Sequence, residues 1–135
     1  QLDESWYIYH SVFDEFSIRN MLFSDDFAQV VYNGGTITYV CIQLAIYMGF
    51  KDIYLLGVDF SYGADKKNHF TENFEPTDIF DGMNVQNRIQ NVSYHAFQKA
   101  KEYAKENNIH IYNATRRTCL DVFEKVGFDT IFEES

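Results

Sequence analysis

Apolar and polar positions along the chain predict a strand, a turn, a helix and a second strand in its first half. Residues 28–32 are typical of a short strand, and the Asn33-Gly34-Gly35 passage follows as a tight turn. Apolar residues then recur at helical spacing over residues 37–48. Because this helix is apolar on most sides, we expect it to be buried. The continuous apolar run over residues 53–58 is typical of a parallel strand covered on both faces, which completes one βαβ unit.

The second half adds a polar loop, a helix and a third strand. Residues 61–91 are polar, contain the single proline of the chain and show weak periodicity, so they predict a long functional loop. An amphipathic helix is predicted over residues 92–106 and a third parallel strand over residues 109–113. A Thr-x-x-Asp capping pattern suggests a short helix within residues 118–134. This order predicts an α/β fold, namely a Rossmann-like three-layer sandwich with a mainly parallel sheet.

Composition and charge restrict the classes of protein to which the chain can belong. Its 135 residues, 46% of them hydrophobic, suit a single domain over residues 1–135. A net charge of −9 argues against binding to nucleic acid or to an anionic membrane surface, because both require clustered positive charge. Cys41 and Cys119 form no C-x-x-C pair and predict reduced thiols. No signal-peptide pattern and no apolar run of about 18 residues occurs, so we expect a cytoplasmic protein without an integral membrane segment.

Candidate binding residues follow the three predicted strands, because open parallel sheets bind ligands beyond the carboxyl ends of their strands. The first passage, residues 33–38, is a Gly turn that enters a helix, which suits either an anion site or an ordinary turn capped by Thr36. The second, residues 59–62, begins with Asp59, a carboxylate suited to bind a ribose hydroxyl or a metal, to act as a base, or to cap a turn. The third, residues 113–117, ends in two arginines that suit either phosphate binding or a solvated surface.

Two histidines are candidates for proton transfer. His69 lies in the polar loop, and His95 lies near the start of the second predicted helix. Each suits a catalytic acid or base, and each is also compatible with an ordinary histidine in an exposed loop or on a helix face. The Cys and His residues lack zinc-site spacing, and no G-x-S-x-G passage occurs, so neither a zinc site nor a serine hydrolase is indicated.

Several of these passages, taken together, resemble a bacterial and archaeal domain family. They are Tyr32-Asn33-Gly34-Gly35-Thr36-Ile37-Thr38-Tyr39, the run from Gly49 to Phe60, His69-Phe70 and Ile111-Tyr112-Asn113-Ala114-Thr115. The family is the MptE-like family, which includes archaeal 6-hydroxymethylpterin diphosphokinases and the motility accessory factors that modify flagellin. The passage that ends in Gly57-Val58-Asp59-Phe60 is also similar to the small bacterial sialyltransferases. The resemblance covers residues 28–132.

The resemblance implies a transferase that uses a nucleotide-activated donor. The first expectation is a sialyltransferase-like glycosyltransferase of cell-surface polysaccharide synthesis, with a small-molecule or glycan acceptor. The nucleotide-binding residues would be Asn33, Gly34, Gly35, Thr36, Thr38, Asp59, Ser61, Asn113 and Arg116. Tyr62 would face the leaving phosphate, and His69 or His95 would take the acceptor proton without a metal. The alternative is pyrophosphoryl transfer from ATP to a pterin alcohol, with Asp59 as a ligand of Mg²⁺.

Two further expectations concern the extent of the chain and its contacts. In both groups of relatives a strand with a Gly-rich turn lies earlier in the chain and binds part of the nucleotide, and nothing similar occurs here. We therefore expect the C-terminal half of a larger domain, which by itself has no turnover and binds nucleotides with at best about millimolar affinity. A third hypothesis is a non-catalytic interaction domain that docks through its aromatic N-terminal stretch. In the alternative interpretation this stretch packs on the sheet of the same chain as an edge helix or strand. The stretch contains Trp6, Tyr7, Tyr9, Phe13 and Phe16. Self-association into a homo-oligomer is left open.

Overall fold

The computed structural model describes residues 9–12, 21–61 and 82–132, with the backbone alone for residues 82–88. In chain order the elements are β1 (Ser11–Val12), β2 (Val31–Tyr32), α1 (Ile37–Tyr47), β3 (Asp52–Leu55), α2 (Gly82–Glu106), β4 (His110–Asn113) and β5 (Glu124–Lys125). A 3₁₀ helix over Asp129–Phe132 ends the described part. The fold is therefore mixed α/β.

All strand pairs of the described part are parallel, and they form two small sheets. One sheet pairs β1 with β2, where Ser11 lies opposite Val31. The other has the strand order β3-β4-β5, in which Tyr112 of β4 lies between Tyr54 and Glu124. The three predicted strands are thus present as β2, β3 and β4, and the prediction of a mixed α/β fold with parallel pairing is confirmed. β2 belongs to a different sheet from β3 and β4.

Two of the predicted boundaries are wrong. The polar loop extends in the prediction to residue 91, whereas α2 already begins at Gly82. Residues 84–91 are mostly Asn and Gln, which give little apolar periodicity, yet extending a helix costs little once it is nucleated. The helix start predicted at Thr118 is also wrong, because the short helix of this stretch is the 3₁₀ helix over Asp129–Phe132. The Thr118 hydroxyl accepts from the Leu120 amide and donates to the Val58 carbonyl, so it holds a loop rather than a helix start.

The core lies between the two helices and one face of the β3-β4-β5 sheet. Phe97 of α2 is 1% exposed and stands at its centre, with ring centroids 5.8 Å from those of both Phe60 and Phe123. Buried residues of α1, such as Tyr39 and Ile42, join the same cluster. Burial of such aromatic and aliphatic side chains contributes roughly 1.5–3 kcal/mol each. Among the described residues, no helix is both long and apolar enough to cross a membrane.

The apolar faces of α1 and β3 are covered on one side, which corrects two expectations of full burial. On α1 the buried residues are Tyr39, Val40, Ile42, Gln43 and Ile46. On the opposite side Ile37 is 67% exposed and Met48, at the end of the helix, 62% exposed. On β3, Leu55 is buried, whereas Tyr54 is 42% exposed. An apolar pattern predicts that a face is buried against a neighbouring element. The described residues bury only one face of α1 and one face of β3.

A buried amide joins α1 to the segments before it. The Gln43 side chain is fully buried, and its Oε1 accepts from the amides of Ser24 (3.2 Å) and Tyr32 (3.1 Å). Its Nε2 donates to the carbonyls of Tyr32 (2.7 Å) and Tyr39 (3.1 Å). All donor and acceptor positions of this amide are therefore used, as burial requires. Gln43, in the middle of α1, thereby fixes that helix against β2 and the segment at Ser24.

The N-terminal stretch contributes an edge strand. Ser11 and Val12 form β1 beside β2, which agrees with the expectation that this stretch packs on the sheet. Tyr9 is 45% exposed, and its ring centroid lies 5.2 Å from that of Phe27. The other aromatic residues named for the docking hypothesis, Trp6, Tyr7, Phe13 and Phe16, lie outside the described residues.

Candidate functional site

The loops that follow β3 and β4 are joined to each other at the carboxyl edge of the sheet. The Val58 amide donates to Thr115 Oγ1 (3.0 Å), 57 positions along the chain, and Thr118 Oγ1 donates to the Val58 carbonyl (2.7 Å). The Cys119 amide donates to the Asp59 carbonyl (2.7 Å). Parallel pairing brings the carboxyl ends of β3 and β4 to one edge, so these distant segments meet there.

Asn113, the last residue of β4, organises the second of these loops. Its side-chain Nδ2 donates to Thr118 Oγ1 and to the Leu120 carbonyl, both at 3.2 Å. Its Oδ1 accepts from the Thr115 amide at 3.1 Å. Asn113 is 1% exposed, so the structure places this predicted nucleotide-binding residue inside the loop that it supports.

A cleft of about 390 Å³ opens beside these joined loops. Its described lining consists of Asp59, Ser61, Thr115, Arg116, Arg117, Thr118, Cys119 and Lys125. Three cationic side chains and one carboxylate thus meet in a chain whose net charge is −9. Arginine and lysine beside hydroxyl groups suit a phosphate, and a nearby carboxylate suits the hydroxyls of a sugar.

The side chains of Arg116 and Asp59 make weak contacts with other described residues. The Arg116 guanidinium lies 3.0 Å from the Asp129 carboxylate and 5.2 Å from the centroid of the Phe128 ring. Both members of the ion pair are largely exposed, and such pairs contribute at most about 1 kcal/mol. The Ser61 hydroxyl donates to Asp59 Oδ2 at 3.4 Å, which is a long contact. A ligand phosphate therefore competes with weak contacts only.

The described residues offer no group of three His, Cys, Asp or Glu side chains able to hold a metal ion. Asp59 is the one carboxylate in the described lining of the cleft. Mg²⁺ is commonly held by one or two carboxylates together with the phosphates of a substrate. The described cleft therefore supplies one carboxylate toward a Mg²⁺–nucleotide complex.

The Gly turn before α1 uses most of its amides internally. Asn33 Oδ1 accepts from the Gly35 amide (3.0 Å), and the Asn33 carbonyl accepts from the Thr36 amide (3.3 Å). Thr36 caps the helix, because its Oγ1 accepts from the Thr38 amide (3.3 Å). These amides are the donors that an anion would need at a helix start. The turn thus has few described donors left for a phosphate.

The two glycines of this turn allow close packing against α2. Gly34 has a φ of +58°, and a Cβ there would lie 2.8 Å from Cβ of Ala96 and would also collide with the Tyr39 ring. Gly35 has a φ of +74°, and a Cβ there would lie 3.0 Å from Oγ of Ser93. Both positions therefore require glycine for backbone conformation and for space. The Thr36 cap agrees with the ordinary interpretation of this passage as a capped turn, and the close packing of the turn against α2 was not predicted.

The structure brings together Asp59, Ser61 and Arg116 among the predicted site residues. The described lining of their cleft includes no residue of 33–38. His95 is likewise outside that lining, and its Nδ1 lies 2.8 Å from the Asn91 carbonyl, to which it donates. Tyr62 and His69 lie outside the described residues.

Two further residues of the cleft lining, Thr115 and Arg117, lie in the passage 113–117 that the sequence singled out, and Arg117 was weighed there for phosphate binding. Sequence reasoning missed Thr118, Cys119, Lys125 and one buried hydroxyl, although Thr118 follows that passage directly, so its position was a usable signal. Lys125 belongs to β5, which no pattern indicated. The Ser93 hydroxyl is fully buried, and the described part of the chain supplies no hydrogen-bond partner for it.

A larger groove of about 520 Å³ lies toward the amino end of β4, with His110, Asp121 and Glu124 in its lining. Ligands of open parallel sheets bind at the carboxyl ends of the strands, so the smaller cleft beside Asp59 is the better candidate. The larger groove also brings carboxylates of Asp121 and Glu124 together with Lys105, so its charges are mixed.

The assignment of the site depends on this geometry, because comparison with known proteins adds nothing to it. No family model, no curated protein and no solved structure matches the chain.

Proposed function

We propose that the chain is the nucleotide-binding part of a transferase that uses a nucleotide-activated donor, and that the cleft beside Asp59 holds the donor's phosphate. One observation carries this proposal, namely the presence of Arg116, Arg117 and Lys125 together in a chain with a net charge of −9. Positive charge concentrated in a cleft of an acidic protein attracts anions to that cleft.

The lining suggests a role for each kind of side chain. The arginines can bind phosphate oxygens through paired N–H groups and stabilise the negative charge of a leaving phosphate. Asp59, with the neighbouring Ser61 hydroxyl, can bind a hydroxyl of the ribose. The histidine that would take the acceptor proton stays a prediction, since His69 is not described and His95 lies outside the cleft lining.

The finer parts of the proposal concern the donor, the architecture and the compartment. We take the donor to be a nucleotide sugar and the reaction to be a sialyltransferase-like glycosyl transfer. The two described sheets would form part of a Rossmann-like three-layer sandwich. A reducing cytoplasmic compartment suits Cys41 and Cys119, which are both free and exposed.

Titration of the chain with nucleotides tests the proposal. CMP and a CMP-sugar without metal, and ATP with and without Mg²⁺, are added while amide NMR signals of Ser61 and residues 115–119 are followed. We expect about millimolar binding of the cytidine nucleotide without metal and no turnover, because exposed charged contacts contribute at most about 1 kcal/mol each. Arg117→Gln should weaken binding roughly two- to fivefold. Lys99→Gln removes a cation of α2 that is exposed and outside the cleft lining, and it should have no effect.

Three results would contradict parts of the proposal. Signals that do not move at about 10 mM nucleotide would remove the phosphate site. Binding of ATP that depends on Mg²⁺, without binding of CMP, would favour pyrophosphoryl transfer with Asp59 as a metal ligand. Micromolar binding of any nucleotide would show that the site is complete in this chain, and the expectation of an incomplete site in the C-terminal half of a larger domain would then be wrong.

A further inference from the structure

The two faces of the β3-β4-β5 sheet differ in their surroundings. Side chains alternate between the faces along each strand, so Leu55 and Ile111 point toward the core, where both are 7% exposed. The strand residues that alternate with these core residues form the opposite face of the sheet. This tyrosine face consists of Asp52, Tyr54, His110, Tyr112 and Glu124.

Aromatic rings form the centre of the tyrosine face. Tyr54 lies opposite Tyr112 in the parallel register, and their ring centroids are 5.0 Å apart with the planes inclined by 24°. The His110 ring is stacked with that of Tyr112, with the centroids 6.0 Å apart and the planes inclined by 10°. Tyr54 is 42% exposed, although tyrosines in a parallel sheet are ordinarily covered.

Carboxylates lie on two sides of these rings. Glu124 is opposite Tyr112 on the next strand, and Asp52 is opposite His110. Partial burial, followed by the charges of Asp52 and Glu124, raises the pKa of Tyr112, so both carboxylates act on the centre of the face. The register places no lysine or arginine on this face of the described strands, and the cations that share a groove with Tyr112 and Glu124, Lys101 and Lys105, belong to α2.

We propose that the tyrosine face docks an amphipathic helix that presents an apolar stripe bordered by lysine and arginine. Helices ordinarily cover both faces of a parallel sheet, and α1 and α2 cover only the opposite one. The apolar stripe covers the rings of Tyr54 and Tyr112, while the cations reach Asp52 and Glu124 or lie over the tyrosine rings. Four-residue strands are about 13 Å long, so a helix of about nine residues spans them.

A second copy of this chain fits the face less well. Two copies joined through this face would place two pairs of Asp52 and Glu124 carboxylates in one interface. Like charges brought together at an interface disfavour association. The charge of the face therefore selects a basic partner.

Designed peptides test this inference. The probe is a fluorescein-labelled 14-residue helical peptide with leucine at positions i, i+3, i+4 and i+7 and with lysine and arginine at the borders of that stripe. The matched control peptide has glutamate in place of each lysine and arginine. By fluorescence anisotropy the cationic peptide should bind at least about tenfold more tightly than the acidic one.

Variants of the protein locate the binding. Asp52→Asn combined with Glu124→Gln should weaken binding of the cationic peptide roughly three- to tenfold, and Tyr54→Ser should abolish measurable binding. Glu102→Gln removes an exposed carboxylate of α2 outside the tyrosine face and should leave binding unchanged. Thermal unfolding of each variant confirms that it is folded.

The inference is overturned if neither peptide binds, if both bind equally, or if the double variant binds like the original chain. Sedimentation supplies a separate outcome. A dimer that is lost in Tyr54→Arg would show that a second copy covers the face, and the basic helix would then be the wrong occupant.

Discussion

Asn113 shows how a single buried side chain can organise a loop that lines the candidate cleft. Its amide makes three hydrogen bonds within the loop after β4. We predict that Asn113→Ala lowers the free energy of unfolding by about 2–3 kcal/mol, because it leaves a buried carbonyl, hydroxyl and amide with fewer partners. Urea unfolding measures the change.

Asn107 is a control for Asn113, because it is the same residue type with an exposed side-chain hydrogen bond. Asn107 donates one exposed hydrogen bond, to the Tyr103 carbonyl at 2.8 Å. Asn107→Ala should lower the free energy of unfolding by no more than about 0.5 kcal/mol. Equal effects of the two substitutions would contradict the role assigned to Asn113.

Two tyrosines predict how stability changes at alkaline pH. Burial, followed by the neighbouring Tyr32, raises the pKa of Tyr39, which donates to the Leu22 carbonyl at 2.7 Å. Burial, followed by the hydrogen bond to Asp25, raises the pKa of Tyr103 to about 12. Both side chains keep their protons in the folded state above pH 10, where the unfolded chain releases them. The stability present below pH 10 is therefore lost as the pH rises from 10 through 12.

Tyr39→Phe should make this alkaline loss shallower, because it removes one of the two retained protons. Its stability at neutral pH should fall by about 1 kcal/mol through loss of the hydrogen bond to Leu22. Tyr47→Phe changes an exposed tyrosine and serves as the control. Urea unfolding at pH 8 to 12 gives the profiles, and parallel profiles for the original chain and Tyr39→Phe would contradict the assignment.

At this scale the sequence indicated which candidate residues lie together, because their place follows from strand order. Asp59 and Ser61 follow β3 and Arg116 follows β4, and parallel strands end at one edge of a sheet. Asn113 follows the same rule and was assigned to the ligand, but a polar residue at a strand end can equally support a loop. Which of these it does depends on burial, and burial depends on contacts made with distant parts of the chain.

Among the elements, the turn between β2 and α1 has the strictest local requirement. Gly34 and Gly57 have similar φ values of +58° and +71°. A Cβ at Gly34 would meet Tyr39 and Ala96, whereas a Cβ at Gly57 would meet nothing within 4 Å. The pair therefore separates backbone strain from close packing.

We predict that Gly57→Ala lowers the free energy of unfolding by about 1–2 kcal/mol through strain at positive φ alone. Gly34→Ala should lower it by about 3 kcal/mol or more, because the added methyl group also separates α1 from α2. Thermal unfolding of both variants measures the difference. Similar losses would show that the close approach of the two helices does not depend on Gly34.

Helices and strands with a clear apolar pattern in their own sequence were predictable. A strand that exists only because it pairs with a neighbouring strand was not. α1, β3 and β4 have long apolar runs or helical spacing, and each lies within a few residues of its predicted position. β5 has two exposed residues, Glu124 and Lys125, and is a strand only because it pairs with β4. A two-residue strand has no periodicity, so nothing in the local sequence could indicate it.

For the whole molecule, the pattern predicted which faces need cover and could not predict what covers them. The apolar residues of β3 and α1 indicated burial on several sides, and the described chain covers one side of each. Hydrophobicity favours any apolar neighbour, whether it belongs to the same chain or to another molecule. The parallel pairing was predictable because helices separate the predicted strands. The division into two sheets was not, because β2 pairs with β1 and not with β3 or β4.

The way in which the two described halves pair has a consequence for a chain that is cut in two. Residues 21–61 and 82–132 meet through the β3-β4 ladder, the contact of Phe60 with Phe97 and the hydrogen bonds of Val58 to Thr115 and Thr118.

We predict that fragments 1–66 and 67–135, expressed separately, reassemble noncovalently when mixed at about 100 µM, since the covalent link supplies an effective concentration in the millimolar range. Circular dichroism should show helix recovered on mixing, and Phe97→Ala should prevent it by opening a cavity at the junction. Fragments that remain apart would show that chain connectivity holds the two halves together, and fragments that reassemble would make this protein a two-part reporter of its own folding.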